Sequence, residues 1–158
     1  WFPDCKEPED RNVWVHRLLL GTHTSDEKPN YVQIAEVDIP KPPKPSAEEY
    51  DDERGEVGGY GKGDAAKIKF NITQKIDHPG EVNKARYQPQ NPDILATMCV
   101  DGKILVFDRT KHSSKPTGKV DPQIELQGHT KEGFALSWNP HSAGKLASGG
   151  EDTTVCLW

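Results

Sequence analysis

Two stretches of the sequence repeat each other and decide the fold. The first is HPGEVNKARYQPQNPDILATMCVDGKILVF (His78–Phe107) and the second is HTKEGFALSWNPHSAGKLASGGEDTTVCLW (His129–Trp158). They align without a gap, 51 residues apart, and both begin with a histidine, carry an Asp-containing turn and end on an aromatic residue. Self-similarity at a fixed spacing indicates a repeat architecture.

Each copy predicts one blade of a β-propeller. Three short strand patterns in each copy are separated by Pro/Asn and Asp/Gly turns, and Gln123–Leu126 between the copies predicts a fourth strand. Four short antiparallel strands per repeat are typical of a propeller blade. The spacing exceeds the roughly 40–45 residues of a WD repeat, and the surplus lies in the loop Thr110–Pro122. The predicted fold class is an all-β WD40 propeller.

The chain before the two copies predicts an earlier blade. Trp14–Thr22 and Tyr31–Val37 have strand patterns, and the turn-rich His23–Asn30 joins them. Asp38–Lys67 is Pro-rich, then acidic, then Gly-rich, without periodicity, and predicts a long loop. Ile68–Lys75 alternates apolar and polar residues, as a half-buried strand does.

The predicted organisation follows from these segments. We expect first-blade strands (1–37), a long acidic and Gly-rich loop (38–67), an outer strand closing the first blade (68–75), a second repeat (76–109), an inter-repeat loop (110–122) and a third repeat (123–158). Both ends look cut, the second one inside a strand pattern, so we expect an N-terminal fragment of about two and a half to three blades, whereas a closed ring needs about four to eight.

Composition narrows the kind of partner. The net charge is −5, and Ser46–Glu56 alone holds six carboxylates and one Arg. An acidic surface favours basic partners and disfavours direct contact with nucleic acid. The three cysteines form no CxxC pair, which argues against a disulfide framework and a zinc site. No apolar run is long enough to span a membrane.

One constellation in the second copy resembles a hydrolase triad. It consists of His129, Ser148 and Asp152. The first copy carries His78, Thr97 and Asp101 at the same places, and a nucleophile is not normally duplicated in every repeat. In WD repeats such residues form a buried hydrogen-bonded chain that the strand Trp completes, here Trp158. We interpret both sets as structural, and expect the first to lack one donor because Phe107 replaces the Trp.

Three further motifs carry little weight. Gly55–Gly63 resembles a phosphate loop only loosely, because Glu56 stands where the motif needs Gly and Lys62 is followed by Gly. Lys111–Lys119 is basic but has no interleaved aromatic residues, so we interpret it as a solvated loop with phosphate contact as the alternative. The six histidines have no metal-binding spacing, and we predict no metal and no cofactor.

Nearly the whole chain resembles one family, the retinoblastoma-binding, nucleosome-remodelling WD40 histone chaperones. The resemblance is carried by HRLLLGTHTSDE (16–27), GEVGGYG (55–61), GEVNKARYQPQNP (80–92), VFDRTKHSSKP (106–116) and GHTKEGFALSWNP (128–140). The family implies a seven-bladed propeller. It also implies two histone sites, a groove at the side for the first helix of H4 and a wide acidic face for basic tails such as that of H3. The H4 groove needs an N-terminal helix and a late-blade loop, so we expect it to be mostly absent here.

The resemblance implies a set of peptide-binding residues on the acidic face. By motif position they are Glu27, Glu81, Asn83, Glu132 and Phe134, the last standing where the family often has Tyr. Carboxylates just before the inner strands of several blades would converge on one Arg or Lys. The alternative is that Glu81 and Glu132 are ordinary loop acids.

We therefore expect a non-catalytic, nuclear, histone-binding scaffold protein of chromatin assembly, deacetylase, acetyltransferase or remodelling complexes. The expected partners are histones H3 and H4 and the other members of such complexes, with no direct nucleic acid and no membrane. Two alternatives stay open, a WD-repeat ribosome-assembly factor and a ubiquitin-ligase substrate adaptor. The enzyme alternative depends on Ser148, His129 and Asp152 acting as a hydrolase.

Overall fold

The computed structural model describes residues 1–24, 28–41, 50–51, 53, 56–57 and 68–158. Across these ranges the regular elements are strands, apart from one 3-10 turn at Arg109–Lys111. The strands are β1 (Cys5–Lys6), β2 (Val13–Gly21), β3 (Asn30–Pro40), β4 (Tyr50–Asp51), β5 (Glu56–Val57), β6 (Lys69–His78), β7 (Val82–Gln88), β8 (Asn91–Cys99), β9 (Ile104–Asp108), β10 (Ile124–Leu126), β11 (Gly133–Trp138), β12 (Leu146–Gly150) and β13 (Val155–Leu157).

The strands form successive antiparallel sheets. The first has the order β1-β2-β3-β6, the second β7-β8-β9-β10 and the third β11-β12-β13, while β4 and β5 pair separately. Within the second and third sheets each strand pairs with the next along the chain, and the two sheets correspond to the two sequence copies. One meander per repeat is the construction of propeller blades. The predicted all-β propeller class is confirmed.

The first sheet departs from the predicted bounds at its middle strand. β3 continues to Pro40, three residues beyond the predicted end at Val37, because Asp38 pairs with Lys69 of β6 and its carboxylate forms an ion pair with Arg11. The start of the expected loop is therefore strand. β4 and β5 add a two-residue ladder inside it, and the rest of 42–67 lies outside the described residues, apart from position 53.

The fourth strand of the second sheet comes from the start of the third predicted repeat. β10 pairs with β9, with Ile124 opposite Val106 and Leu126 opposite Ile104. The structural unit therefore closes at Leu126, whereas the sequence pattern divides the repeats at 122/123. The loop before β10 is exposed but anchored to β6. Asp77 Oδ2 accepts hydrogen bonds from the backbone N–H groups of Thr117 (2.7 Å) and Gly118 (3.0 Å).

Two apolar layers join the three sheets. The layer between the first and second sheets contains Phe2, Val32, Ile34, Ile76, Val82, Leu95, Cys99, Leu105 and Phe107. The layer between the second and third contains Ala96, Met98, Ile104, Val106, Leu136, Trp138 and Leu146. β8 supplies both layers because alternate side chains of a strand point to opposite faces. Burying each large apolar side chain stabilises the fold by about 1.5–3 kcal/mol.

The described part of the chain contains no helix that is long and apolar enough to span a membrane. Nor do its described residues bring three or more His, Cys, Asp or Glu side chains together where they could hold a metal ion.

Candidate functional site

In the third sheet the triad-like residues form one hydrogen-bonded chain. The indole N–H of Trp158 donates to Ser148 Oγ (3.0 Å), which lies 2.8 Å from His129 Nε2. His129 Nδ1 lies 3.2 Å from both carboxylate oxygens of Asp152. Ser148 is buried, and its Oγ already accepts the indole N–H, which leaves no approach for a substrate carbonyl. This geometry supports a structural role for the chain over a hydrolytic one.

Asp152 closes the turn at the far end of this hydrogen-bonded chain. Its pKa is held well below the ordinary value, first by the Thr154 hydroxyl at 2.7 Å and then by the backbone N–H of Thr130 at 2.8 Å. The carboxylate therefore stays ionised and accepts several hydrogen bonds. An acceptor-rich turn of this kind holds the loop before β11 in place.

The first copy differs from the expected chain at its aspartate. His78 Nε2 lies 3.0 Å from Thr97 Oγ1, as the alignment predicts, but Nδ1 lies 2.7 Å from the carbonyl oxygen of Gly80. The expected link from Asp101 to His78 is wrong, because the Gly80 carbonyl occupies that nitrogen. Asp101 instead accepts the backbone N–H of Lys103 at 3.0 Å. Phe107 offers no donor, so this network is shorter at both ends.

Glu81, Asn83 and Glu132 lie together at the starts of two first strands, and we call them the acidic rim. Glu81 directly precedes β7 and Glu132 directly precedes β11. Asn83 Nδ2 donates to Glu132 Oε2 (2.9 Å) and to the carbonyl oxygen of Gly133 (3.3 Å), which joins the two sheets at this point.

The acidic rim borders a cavity of about 720 Å³. Glu81 and Glu132 both line it, together with Lys28, Asn30 and the exposed apolar Val100. Two carboxylates and an apolar side chain around one opening can receive a cationic head on an aliphatic stem. Lys28 adds one positive charge at the same opening, which a cationic ligand must avoid or displace.

The remaining predicted residues are placed less closely. Phe134 lies on β11, two residues beyond Glu132, and its side chain is 52% exposed, so the ring is free to stack. Glu27 lies outside the described residues. Of the predicted peptide-binding set, the structure therefore brings together Glu81, Asn83 and Glu132.

Sequence reasoning missed one residue at this site, His23. Its Nε2 lies 3.2 Å from Glu81 Oε2, although the two residues belong to different sheets. His23 stands inside the motif HRLLLGTHTSDE, in which the sequence pattern points only to the acid at the end. The contact could not be found from spacing, because it depends on how the first two sheets approach each other.

Comparisons with known proteins point to one group. A family model for the histone-binding protein RBBP4, or its counterpart in the CAF1 complex, matches residues 1–41. Three curated proteins named histone acetyltransferase type B subunit 2 match all of the chain, at 71% identity in Gibberella zeae, 64% in Neurospora crassa and 62% in Aspergillus fumigatus.

The coverage of these relatives is partial. The chain spans 36–37% of their length. A chain of a mitotic checkpoint complex structure superposes with a TM-score of 0.47 at 18% identity, covering 97% of this chain and 37% of that one. The matches to the curated proteins confirm the resemblance predicted from the motifs: from its first residue to its last, this chain matches the retinoblastoma-binding WD-repeat family.

Proposed function

We propose that the chain forms part of a histone-binding scaffold protein of nuclear chromatin complexes, and that its acidic rim receives a basic histone tail. One observation carries the proposal. Two carboxylates, from loops before the first strands of two neighbouring sheets, line a single cavity, and Asn83 bridges the sheets beside them. The names of the relatives, which are subunits of a histone acetyltransferase, support histones as the source of the basic ligand.

The chemistry of the site fits Arg and Lys side chains. Each carboxylate offers two acceptor oxygens, and hydrogen bonds between ions are shorter and stronger than those between neutral groups. The Glu81 side chain is only 27% exposed, so a bound cation would be screened less than at an open surface. Asn83 fixes the position of Glu132, which lowers the ordering cost on binding. Phe134 offers a ring for stacking further along the same strand.

The proposal assigns no catalysis to this chain. Within the complexes that we propose, the chemistry would belong to other proteins, and this chain would hold the substrate. The match of residues 1–41 to a family model whose short name refers to H4 binding supports a contribution of β1 to β3 to H4 recognition. We place the H3 tail at the acidic rim and H4 elsewhere.

The test is a peptide titration by fluorescence polarisation with the full-length protein that carries this sequence. The ligand is a histone H3 N-terminal peptide, and the variant is Glu81→Ala combined with Glu132→Ala. We expect at least about tenfold weaker binding, or 1.4 kcal/mol. Glu125→Ala, on the outer strand β10 and paired with Lys103, is the matched control and should bind as wild type does. Equal affinity of the double variant and wild type would show that these acids are ordinary loop residues.

A further inference from the structure

We propose that His23 is an internal competitor for Glu81 that makes binding at the acidic rim depend on pH. The inference rests on the proposed function, because it concerns the regulation of that same site. Its basis is a contact, not a titration value: His23 Nε2 lies 3.2 Å from Glu81 Oε2, and Glu81 lines the cavity. A ligand cation that uses this carboxylate must first displace the imidazole.

The turn that carries His23 is held firmly. Asn30 is buried, and its Oδ1 accepts hydrogen bonds from Thr22 Oγ1 (2.8 Å) and from the backbone N–H of Thr24 (3.2 Å). The carbonyl oxygen of Thr22 accepts the backbone N–H of Val82 at 3.0 Å. Residues on both sides of His23 are therefore fixed, and the second sheet is tied to this turn at the residue that follows Glu81.

The side chain itself remains free to leave. The His23 side chain is 64% exposed, so rotation about its own bonds carries it into solvent without disturbing the turn. A fixed backbone with a mobile side chain is the arrangement that a displaceable competitor needs. The partner of Glu132, Asn83, is uncharged and does not change with pH.

Among the described residues around the cavity, His23 is the group whose charge changes between pH 5.5 and 8. Glu81 and Glu132 are carboxylates and Lys28 is an amine, and the reference values for these groups lie outside that window. His78 also lines the cavity, but burial lowers its pKa, so it stays neutral as the pH falls toward the ordinary histidine range. Protonation of His23 is therefore the change that the site experiences.

The direction follows from the charges. Above the ordinary histidine value of about 6.5, His23 is neutral and a ligand cation displaces it at little cost. Below that value the imidazolium forms an ion pair with Glu81, and the ligand must break it. Exposed ion pairs contribute little, so we expect basic peptides to bind about two- to fivefold more weakly at pH 5.5 than at pH 7.5.

The test compares wild type with His23→Gln in the full-length protein. The probe is an N-acetylated H3 tail peptide without histidine, so the peptide carries no group that titrates between pH 5.5 and 7.5. Isothermal titration at both pH values should show the loss of affinity in wild type and less than half of it in the variant. His141→Gln, at an exposed turn in the third sheet, should keep the wild-type dependence.

A second measurement examines the contact without a ligand. Replacing Glu81 by Gln should lower the pKa of His23, followed by NMR of its imidazole protons, because the carboxylate favours the protonated ring. An unchanged His23 pKa, or equal pH dependence in wild type and His23→Gln, would overturn the inference alone. Absence of binding by wild type at pH 7.5 would instead overturn the proposed function, and this inference with it.

Discussion

Two histidines at equivalent repeat positions show how much a single neighbour decides. His129 and His78 occupy the same place in the alignment, and both approach a hydroxyl of the blade's second strand through Nε2. Their Nδ1 atoms differ, since His129 faces the Asp152 carboxylate while His78 faces the Gly80 carbonyl. A charged acceptor makes the stronger hydrogen bond. The two copies therefore share a strand pattern but not the same buried network.

This difference predicts an order of stabilities. Asp152→Ala should lower the urea midpoint of unfolding more than Asp101→Ala. The reason is that the Asp152 carboxylate contacts Thr130, Thr154 and His129, whereas the Asp101 carboxylate contacts Lys103. Equal midpoints, or the reverse order, would remove the basis for the third-sheet network.

The same residue predicts a pH dependence. The pKa of folded Asp152 lies below its ordinary value of 3.8. Its contribution is therefore complete above about pH 3.8 and is lost as the pH falls through the lower folded value. The difference in midpoint between wild type and Asp152→Asn should shrink below that pH. A difference that grows in acid would mean that the folded state does not favour the carboxylate.

At the residue scale, sequence reasoning found what lies along one strand and missed what lies between sheets. The alignment located Ser148, Thr97 and both histidines, because repeats place equivalent residues alike. It did not find the contact of His23 with Glu81, nor the Gly80 carbonyl that displaces Asp101. Both depend on backbone path and sheet packing, which leave no periodic signal.

The element scale is governed by how one sheet anchors the loop of the next. The loop that precedes β10 crosses to β6, where Gln74 Nε2 donates to the carbonyl oxygens of Arg109 (2.9 Å) and His112 (3.0 Å), and Asp77 holds the N–H groups of Thr117 and Gly118. Composition predicted a solvated loop here. The loop is exposed, but its backbone is fixed by two side chains of a strand from another sheet.

This anchoring predicts a protease-sensitive variant. Asp77→Ala should speed tryptic cleavage after Lys119 and Lys111, because the loop backbone loses its acceptor on β6. The bond after Lys115 precedes Pro116 and should stay uncut. Asp121→Ala removes only an exposed ion pair with Lys119 and is the control. If both variants were cut at the same rate as wild type, the anchor would not restrain the loop.

The bounds of elements were predictable where one face of a strand is buried. β2 and β6 follow their alternating patterns closely, with ends shifted by a few residues. The end of β3 was not predictable, since Asp38 and Pro40 are turn-forming residues that remain in the strand through pairing with neighbouring strands and the ion pair of Asp38 to Arg11. Tertiary pairing overrides local preference at such places.

For the whole molecule, the sheets place chemistry at one edge. The starts of β7 and β11 bring Glu81 and Glu132 to one cavity, and the loop after β2 brings His23 to the same place. Charge and repeats together predicted an acidic binding face, and the described residues supply two of its carboxylates. Elsewhere, β13 presents an open strand edge with Val155 and Leu157 exposed, the kind of edge that natural sheets cover.

The most direct test of the central claim, that the acidic rim grips a basic tail, is a double-mutant cycle between Glu132→Ala and alanine replacements of each basic residue in the H3 peptide. Affinities of all four combinations in each cycle give the coupling energy. We expect at least one peptide residue to couple to Glu132 by about 1 kcal/mol or more, because close charge pairs interact directly. Additivity within about 0.3–0.5 kcal/mol for every peptide residue, repeated with Glu81→Ala, would contradict the claim.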